Sequence, residues 1–330
     1  MILDNIRRET LRVLLFAVFI LLASFSEDLF FGISSKTEWT NSVFTGVPDI
    51  LPELLTTLIS MILTLFVGML MYKMSFDHIS ITGREHLLAL LWVILVGGFS
   101  FLHSLSEVSF AIIFILLSYD KLFQIYRKTS DYKVIFISSM YLGIATFFYS
   151  FSIYLFIPYM ISLHWFKIAG FRDWIISIAG FLVPFYFSIF VSHFLMGNWS
   201  YPIEKTINNI SFNNFSIGFA EMEDSQYILC LFIFILIVVG KLIPLKSTRH
   251  RANQKTVFCM QSFSTLMFFS TLVFLFFTPE SRLMLHIILI PATIYLRILF
   301  VKINKNIIAN LLFILLIAIS VIALIYNNDF

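Results

Sequence analysis

Four stretches of this 330-residue chain hold the side chains that acid–base or phosphate chemistry uses. Adjacent carboxylates, Glu27 and Asp28, interrupt the apolar run LLASFSEDLFF. A second stretch, HSLSEVSF, holds His103, Ser104, Ser106 and Glu107. The third, 197–225, carries Glu204, Lys205 and the acids Glu221, Glu223 and Asp224. The fourth, TPESRLMLH, carries Glu280, Arg282 and His286. A carboxylate can take the proton from an acceptor hydroxyl, and several together can hold a divalent metal through oxygen. An arginine can fork onto a phosphate through two parallel N–H bonds. Asp28, with Glu27 as the weaker choice, is the candidate catalytic base. His103, Glu107, Glu280, Arg282 and His286 are candidates for substrate binding. Such a set suits transfer from a polyprenyl-phosphate carrier. Each stretch also has a plain structural reading: a solvated helix end, a connecting turn whose Glu107 complements a helix dipole, a surface Glu280–Arg282 ion pair, and histidines anchored at an interface.

Other chemistries find no support. Cys230 and Cys259 lie in apolar runs without CxxC spacing, so neither a cysteine metal site nor a disulfide framework is indicated. No GxxxxGK[ST] or strand–glycine-triplet–helix pattern occurs, which excludes an ATPase or a nucleotide-sugar Rossmann enzyme in a single chain. The net charge of +3 gives no reason to expect nucleic acid as a partner.

The elements that must position these residues are membrane helices. Hydrophobic residues make up 59% of the chain and charged ones 12%, against about 25% charged in a soluble domain. A membrane crossing takes roughly 20 apolar residues. Crossings are predicted near 11–30, 51–73, 86–102, 107–126, 134–150, 151–166, 173–196, 226–245, 257–278, 283–300 and 306–326, about eleven in all. The stretch 134–166 is too long for one helix and has a thin turn near Tyr149–Ser152, which predicts a hairpin of two short helices. The expected fold class is therefore all-α and polytopic, one membrane domain over 1–330. The basic–apolar start lacks a small-x-small cleavage site and reads as an uncleaved signal anchor.

Orientation follows the basic residues. With the N-terminus in the cytoplasm, all of the 22 Lys and Arg except Lys36, Lys205 and Arg282 fall on the inner side. The C-terminus is then extracytoplasmic, and the acids gather on the outer face with two longer loops, 26–50 and 197–225. The expected location is the inner membrane. Asp120–Lys121, inside a span near its inner end, reads as a local pair whose lysine snorkels. Pro158, Pro184 and Pro291 fall within spans, but no internal repeat supports a transporter.

Two resemblances bear on this reading. The runs from Arg84 to Tyr186, including FRDWIISIAGFLVPFYF, and the later HIILIPATIYL resemble an uncharacterised Bacteroidota family of polytopic integral-membrane proteins. The most specific residues are Phe171–Trp174, Gly180 and the Pro184-Phe185-Tyr186 turn. Members often bear a beta-carotene monooxygenase label, yet the four-histidine iron site of those soluble propellers has no counterpart here. No activity follows from that family. The order of parts is also similar to that of GT-C membrane glycosyltransferases: a cytoplasmic N-terminus, acids in the first outer part, a span–short-turn–span unit, and a hairpin at Gly143–Phe148. This resemblance implies a catalytic base at Glu27 or Asp28 and a polyprenyl-phosphate-linked sugar donor. The first loop is shorter than in that pattern, and no large soluble tail follows. The alternatives are a non-enzymatic subunit of an envelope assembly for secretion, motility or polymer export, and a transporter. Partners implied are membrane lipids, the lipid-phosphate donor and, for a subunit, other membrane proteins.

Overall fold

The computed structural model describes residues 10–26, 52–79, 86–126, 131–166, 170–196, 199–210, 224–242, 254–276, 283–303 and 306–326. Within them lie α1 (Thr10–Ser24), α2 (Glu53–His78), α3 (His86–Gly97), α4 (Glu107–Gln124), α5 (Tyr132–Phe148) and α6 (Phe156–Trp165). The second half holds α7 (Phe171–Met196), α8 (Tyr201–Ile210), α9 (Asp224–Leu242), α10 (Gln254–Phe276), α11 (Met284–Lys302) and α12 (Asn306–Tyr326). Two 3-10 segments, Ser100–Leu102 and Ser150–Leu155, complete them. Helix suits such apolar runs because it satisfies every backbone group inside its own segment. Five helices, α2, α7, α10, α11 and α12, are long and apolar enough to cross a membrane, while α1, α3, α5 and α9 are shorter apolar helices.

The core lies around α3 and α11. All twelve residues of α3 are buried, as is most of α11, whereas α2, α7 and α12 bury only about a third of their apolar length. Their outward faces carry side chains such as Ile62, Phe187 and Leu311. A surface of that kind belongs in hydrocarbon, because an apolar patch this wide is not kept in water. The pair α2–α3 runs antiparallel: Trp92 Nε1 donates to the Thr64 carbonyl at 3.0 Å, and Gly68 opposes Ala89 one turn further along α2. From that register, Gly97 stands level with residue 59 or so. The shorter helix therefore stops about 9 Å below the start of its neighbour, at 1.5 Å per residue.

The 134–166 stretch does turn back on itself. Tyr149 is extended, with φ −139° and ψ 105°, and breaks the helix before the 3-10 segment. The Tyr159 hydroxyl then shares a 2.6 Å hydrogen bond with Ser138 near the start of α5, so α6 runs back along α5. Next, α5 crosses α7 at two glycines. A methyl on Gly143 would strike the Phe181 carbonyl, and one on Gly180 would meet the Phe136 carbonyl at 2.5 Å. Small residues are what let helix backbones approach this closely.

The aromatic-Arg-acid-Trp step finds a structural explanation at the start of α7. Asp173 Oδ2 accepts from the Gly170 N–H at 3.1 Å, satisfying a donor that the helix leaves open. Arg172 lies 4.3 Å from the Tyr132 ring centroid, a cation–π contact with α5. Phe171 and Trp174 point outward.

Candidate functional site

The outer corner is built by a helix that ends early. Gly97 and Gly98 stand where α3 ends, and a side chain at either position would collide with a serine: Ser24 Oγ would stand 2.9 Å from a Gly97 methyl, and Ser320 Oγ 2.6 Å from a Gly98 methyl. The 3-10 turn Ser100–Leu102 follows, and the His103 N–H bonds the Ser100 carbonyl at 2.9 Å. Ser106 and Ser109 hydroxyls meet at 3.1 Å where α4 begins. His103 and Glu107 are both fully buried in this corner. Phe25, just beyond α1, stacks on the His103 ring with centroids 4.2 Å apart and planes at 23°. The end of α1 is thus seated on the His103 corner, and Glu27 and Asp28 come next in the chain after Ser26.

The other predicted residues fare differently. Glu27, Asp28, Glu280 and Arg282 lie outside the described residues. His286 was expected near the end of a span as a substrate contact. Instead it is buried in the bundle, its ring stacked on Trp92 at 5.3 Å and 12°. Neither ring nitrogen has a hydrogen-bond partner among the described residues. In this structure the imidazole packs against the Trp92 indole in the bundle interior. Among the described residues no three His, Cys, Asp or Glu side chains stand close enough to hold a metal ion.

A groove of about 540 Å³ opens between α9, α10 and α11. Phe99, Tyr227, Phe234, Thr271, Phe274 and Leu289 are among the residues that line it. No charged residue lines it. Leu231 and Phe234 on its rim are also exposed on the bundle surface, so it opens sideways. The lining comes from the first two-thirds or so of α9, the first half of α11 and the second half of α10, with Phe99 four residues before His103. The groove and the corner therefore share one end of the bundle.

At the opposite end, sequence reasoning missed a polar junction. Asp120 does not simply pair with Lys121. Its Oδ1 meets His78 Nε2 at 3.0 Å on α2, and its Oδ2 accepts from Gln124 Nε2 at 2.9 Å. Lys255, in the first turn of α10, donates to His78 Nδ1 at 2.7 Å. An ammonium has only protons to offer, so Nδ1 accepts and Nε2–H donates to Asp120. Lys121 reaches Gln124 Oε1 at 3.5 Å instead. One turn earlier on α2, Ser75 receives a hydrogen bond from the buried Arg297 of α11. Ionisable groups inside membrane helices deserve functional suspicion by default, and that rule applied to Asp120 was the signal available.

No protein-family model, curated protein or solved structure matches the chain. The resemblances through Phe171–Trp174, Gly143, Gly180 and Pro184 stand on those residues alone; Asp173 caps α7, Gly143, Gly180 and Pro184 sit at the α5–α7 crossing, and Phe171 and Trp174 face outward.

Proposed function

We propose that the chain is an inner-membrane protein that transfers a sugar from a polyprenyl-phosphate-linked donor at the outer leaflet, in the manner of GT-C enzymes. In this reading there are about eleven crossings, with the N-terminus in the cytoplasm and the C-terminus outside. The observation that carries it is the sideways-opening apolar groove whose lining includes Phe99, four residues before the buried His103 on which Phe25 stacks. A lipid-linked substrate needs those two parts together: hydrocarbon-compatible space reached from the bilayer, and acid–base groups at its end. Pockets for ligands commonly span about 300–1,000 Å³ and are mostly apolar with a few polar groups. Asp28 is the proposed base, with Glu27 beside it. Glu280 and Arg282 belong to the headgroup side of this proposal, and a divalent metal on the carboxylates would screen the phosphate.

The test is transfer from a radiolabelled polyprenyl-phosphate sugar in membranes holding the protein. Asp28→Asn should lower the rate by about 10²–10⁴-fold, the usual cost of losing a general base, at unchanged protein level, with Glu27→Gln milder. Wild-type rates in both variants, or no transfer by the parent with any donor, would remove the enzymatic reading. A subunit role in an envelope assembly is favoured by one feature, the exposed aromatic face of α7 with Tyr186, Phe187, Phe190 and Phe194. Crosslinking from that face to another membrane protein, with silent Asp28 variants, would select it.

A further inference from the structure

The region 197–225 was read as a loop, but it contains α8, and that helix has an apolar stripe facing outward. Trp199, just before α8, and Ile203 and Ile207 within it recur every four residues and so share one side of the helix. They are 56%, 41% and 60% exposed, while Pro202 and Thr206 on the other side are buried. The buried side packs against α7 and the Ser150–Leu155 segment. Two exposed apolar residues on a ten-residue helix, with an exposed tryptophan just before it, are costly in water.

The chain before α8 carries the same kind of surface. The last turns of α7, a helix long and apolar enough to cross a membrane, expose Phe190 and Phe194. His193 in the same turns stacks on Trp199, with centroids 3.7 Å apart and planes at 23°. The stripe of α8 thus continues the apolar outer surface of α7, past the point where that helix ends. Glu204 and Asn208 are exposed on the flank of the stripe.

From this continuity we infer that α8 is an interfacial helix, lying along the membrane boundary with Trp199, Ile203 and Ile207 set into lipid and Glu204 and Asn208 in the headgroup water. An amphipathic helix binds a bilayer in this way, its apolar face sunk to the headgroup–acyl boundary, and tryptophan favours that depth. The assignment is independent of any enzymatic role.

Environment-sensitive fluorophores on single cysteines test it, introduced as Ile203→Cys, Ile207→Cys and Asn208→Cys in a full chain carrying Cys230→Ser and Cys259→Ser. The protein is reconstituted in phosphatidylcholine–phosphatidylglycerol vesicles. Labels at 203 and 207 should emit to the blue of the label at 208, be quenched by doxyl groups on the lipid chains, and resist aqueous iodide several-fold better. Iodide quenching equal to that at 208 would overturn the inference. So would protection from both quenchers, which would show a protein covering the stripe. Because labelling could disturb the fold, the parent and Trp199→Phe are compared as well: their difference spectrum isolates Trp199, and the same lipid quenchers should diminish it.

Discussion

Replacing Gly180 with alanine tests the packing argument at its tightest point. A Cβ there would lie 2.5 Å from the Phe136 carbonyl oxygen and closer still to Ser139 Oγ. Ordinary carbon–oxygen approach is about 3.3–3.6 Å, so the helices must separate by roughly 1 Å. The serine hydroxyl could rotate away, but the carbonyl belongs to the α5 backbone and cannot. Overpacking of this kind costs about 1–3 kcal/mol, from which at most about 1 kcal/mol of improved helix propensity is returned. At about 2–4 °C per kcal/mol, the figure for chains of 150–250 residues, thermal unfolding in detergent should fall by several degrees. Gly240 supplies the contrast. Its nearest neighbours would sit at 3.4 Å (the Tyr295 carbonyl) and 3.5 Å (Leu299 Cβ). Gly240→Ala should therefore keep the parent melting temperature or raise it. Gly143→Ala, on the opposite helix of the same crossing, should behave like Gly180→Ala, and the double variant should lose less than the sum, since one separation relieves both. If Gly180→Ala melts at or above the parent while Gly240→Ala melts below it, the close crossing of α5 and α7 is wrong.

Three further outcomes follow from distances already given. His78→Ala removes partners from both Asp120 and Lys255 and should destabilise the detergent-solubilised protein by about 1.5–3 kcal/mol, the range for hydrogen bonds to charged groups; Asp120→Asn, which keeps an acceptor for His78, should cost less. Trp92→Phe keeps a ring against His286 but loses the bond to Thr64, so a loss near 1 kcal/mol is expected in the same melt. Cys230 lines the groove, and its labelling by an apolar maleimide should slow when polyprenyl phosphate is added; unchanged labelling at saturating lipid would show that the groove does not take the chain.

Hydropathy carries the helical class well, because a run of apolar residues has one workable backbone solution in lipid. It also locates the reversal at 149–155, where the stretch is too long for one helix and its tyrosine–serine turn is weak. It fails where the decision is made by a neighbour. The helix in the predicted span 86–102 ends instead at Gly97, and the partners that press on Gly97 and Gly98, Ser24 and Ser320, lie in other helices, invisible in a local window. The α8 helix is short and its region polar, so it passed for loop, although the spacing of Trp199, Ile203 and Ile207 could be read. His286 looked interfacial from its place beside Arg282, yet Trp92, nearly two hundred residues earlier, holds it inside. The His78–Asp120–Lys255 contact joins residues 42 and 177 positions apart, a pairing that one sequence does not contain. For the outer corner, residue types pointed to His103 and Glu107, but nothing in the sequence pointed to Phe25 as their lid.

The early end of α3 sets the depth of that corner. Because α3 stops about 9 Å short of the start of α2, at 1.5 Å per residue, the chain turns early into the 3-10 segment that leads to the buried His103 and Glu107. Two charges 4 Å apart attract by about 1 kcal/mol in bulk water but by about 4 kcal/mol at the effective dielectric of a protein surface layer. A charge created there would be felt correspondingly more strongly by whatever lies opposite.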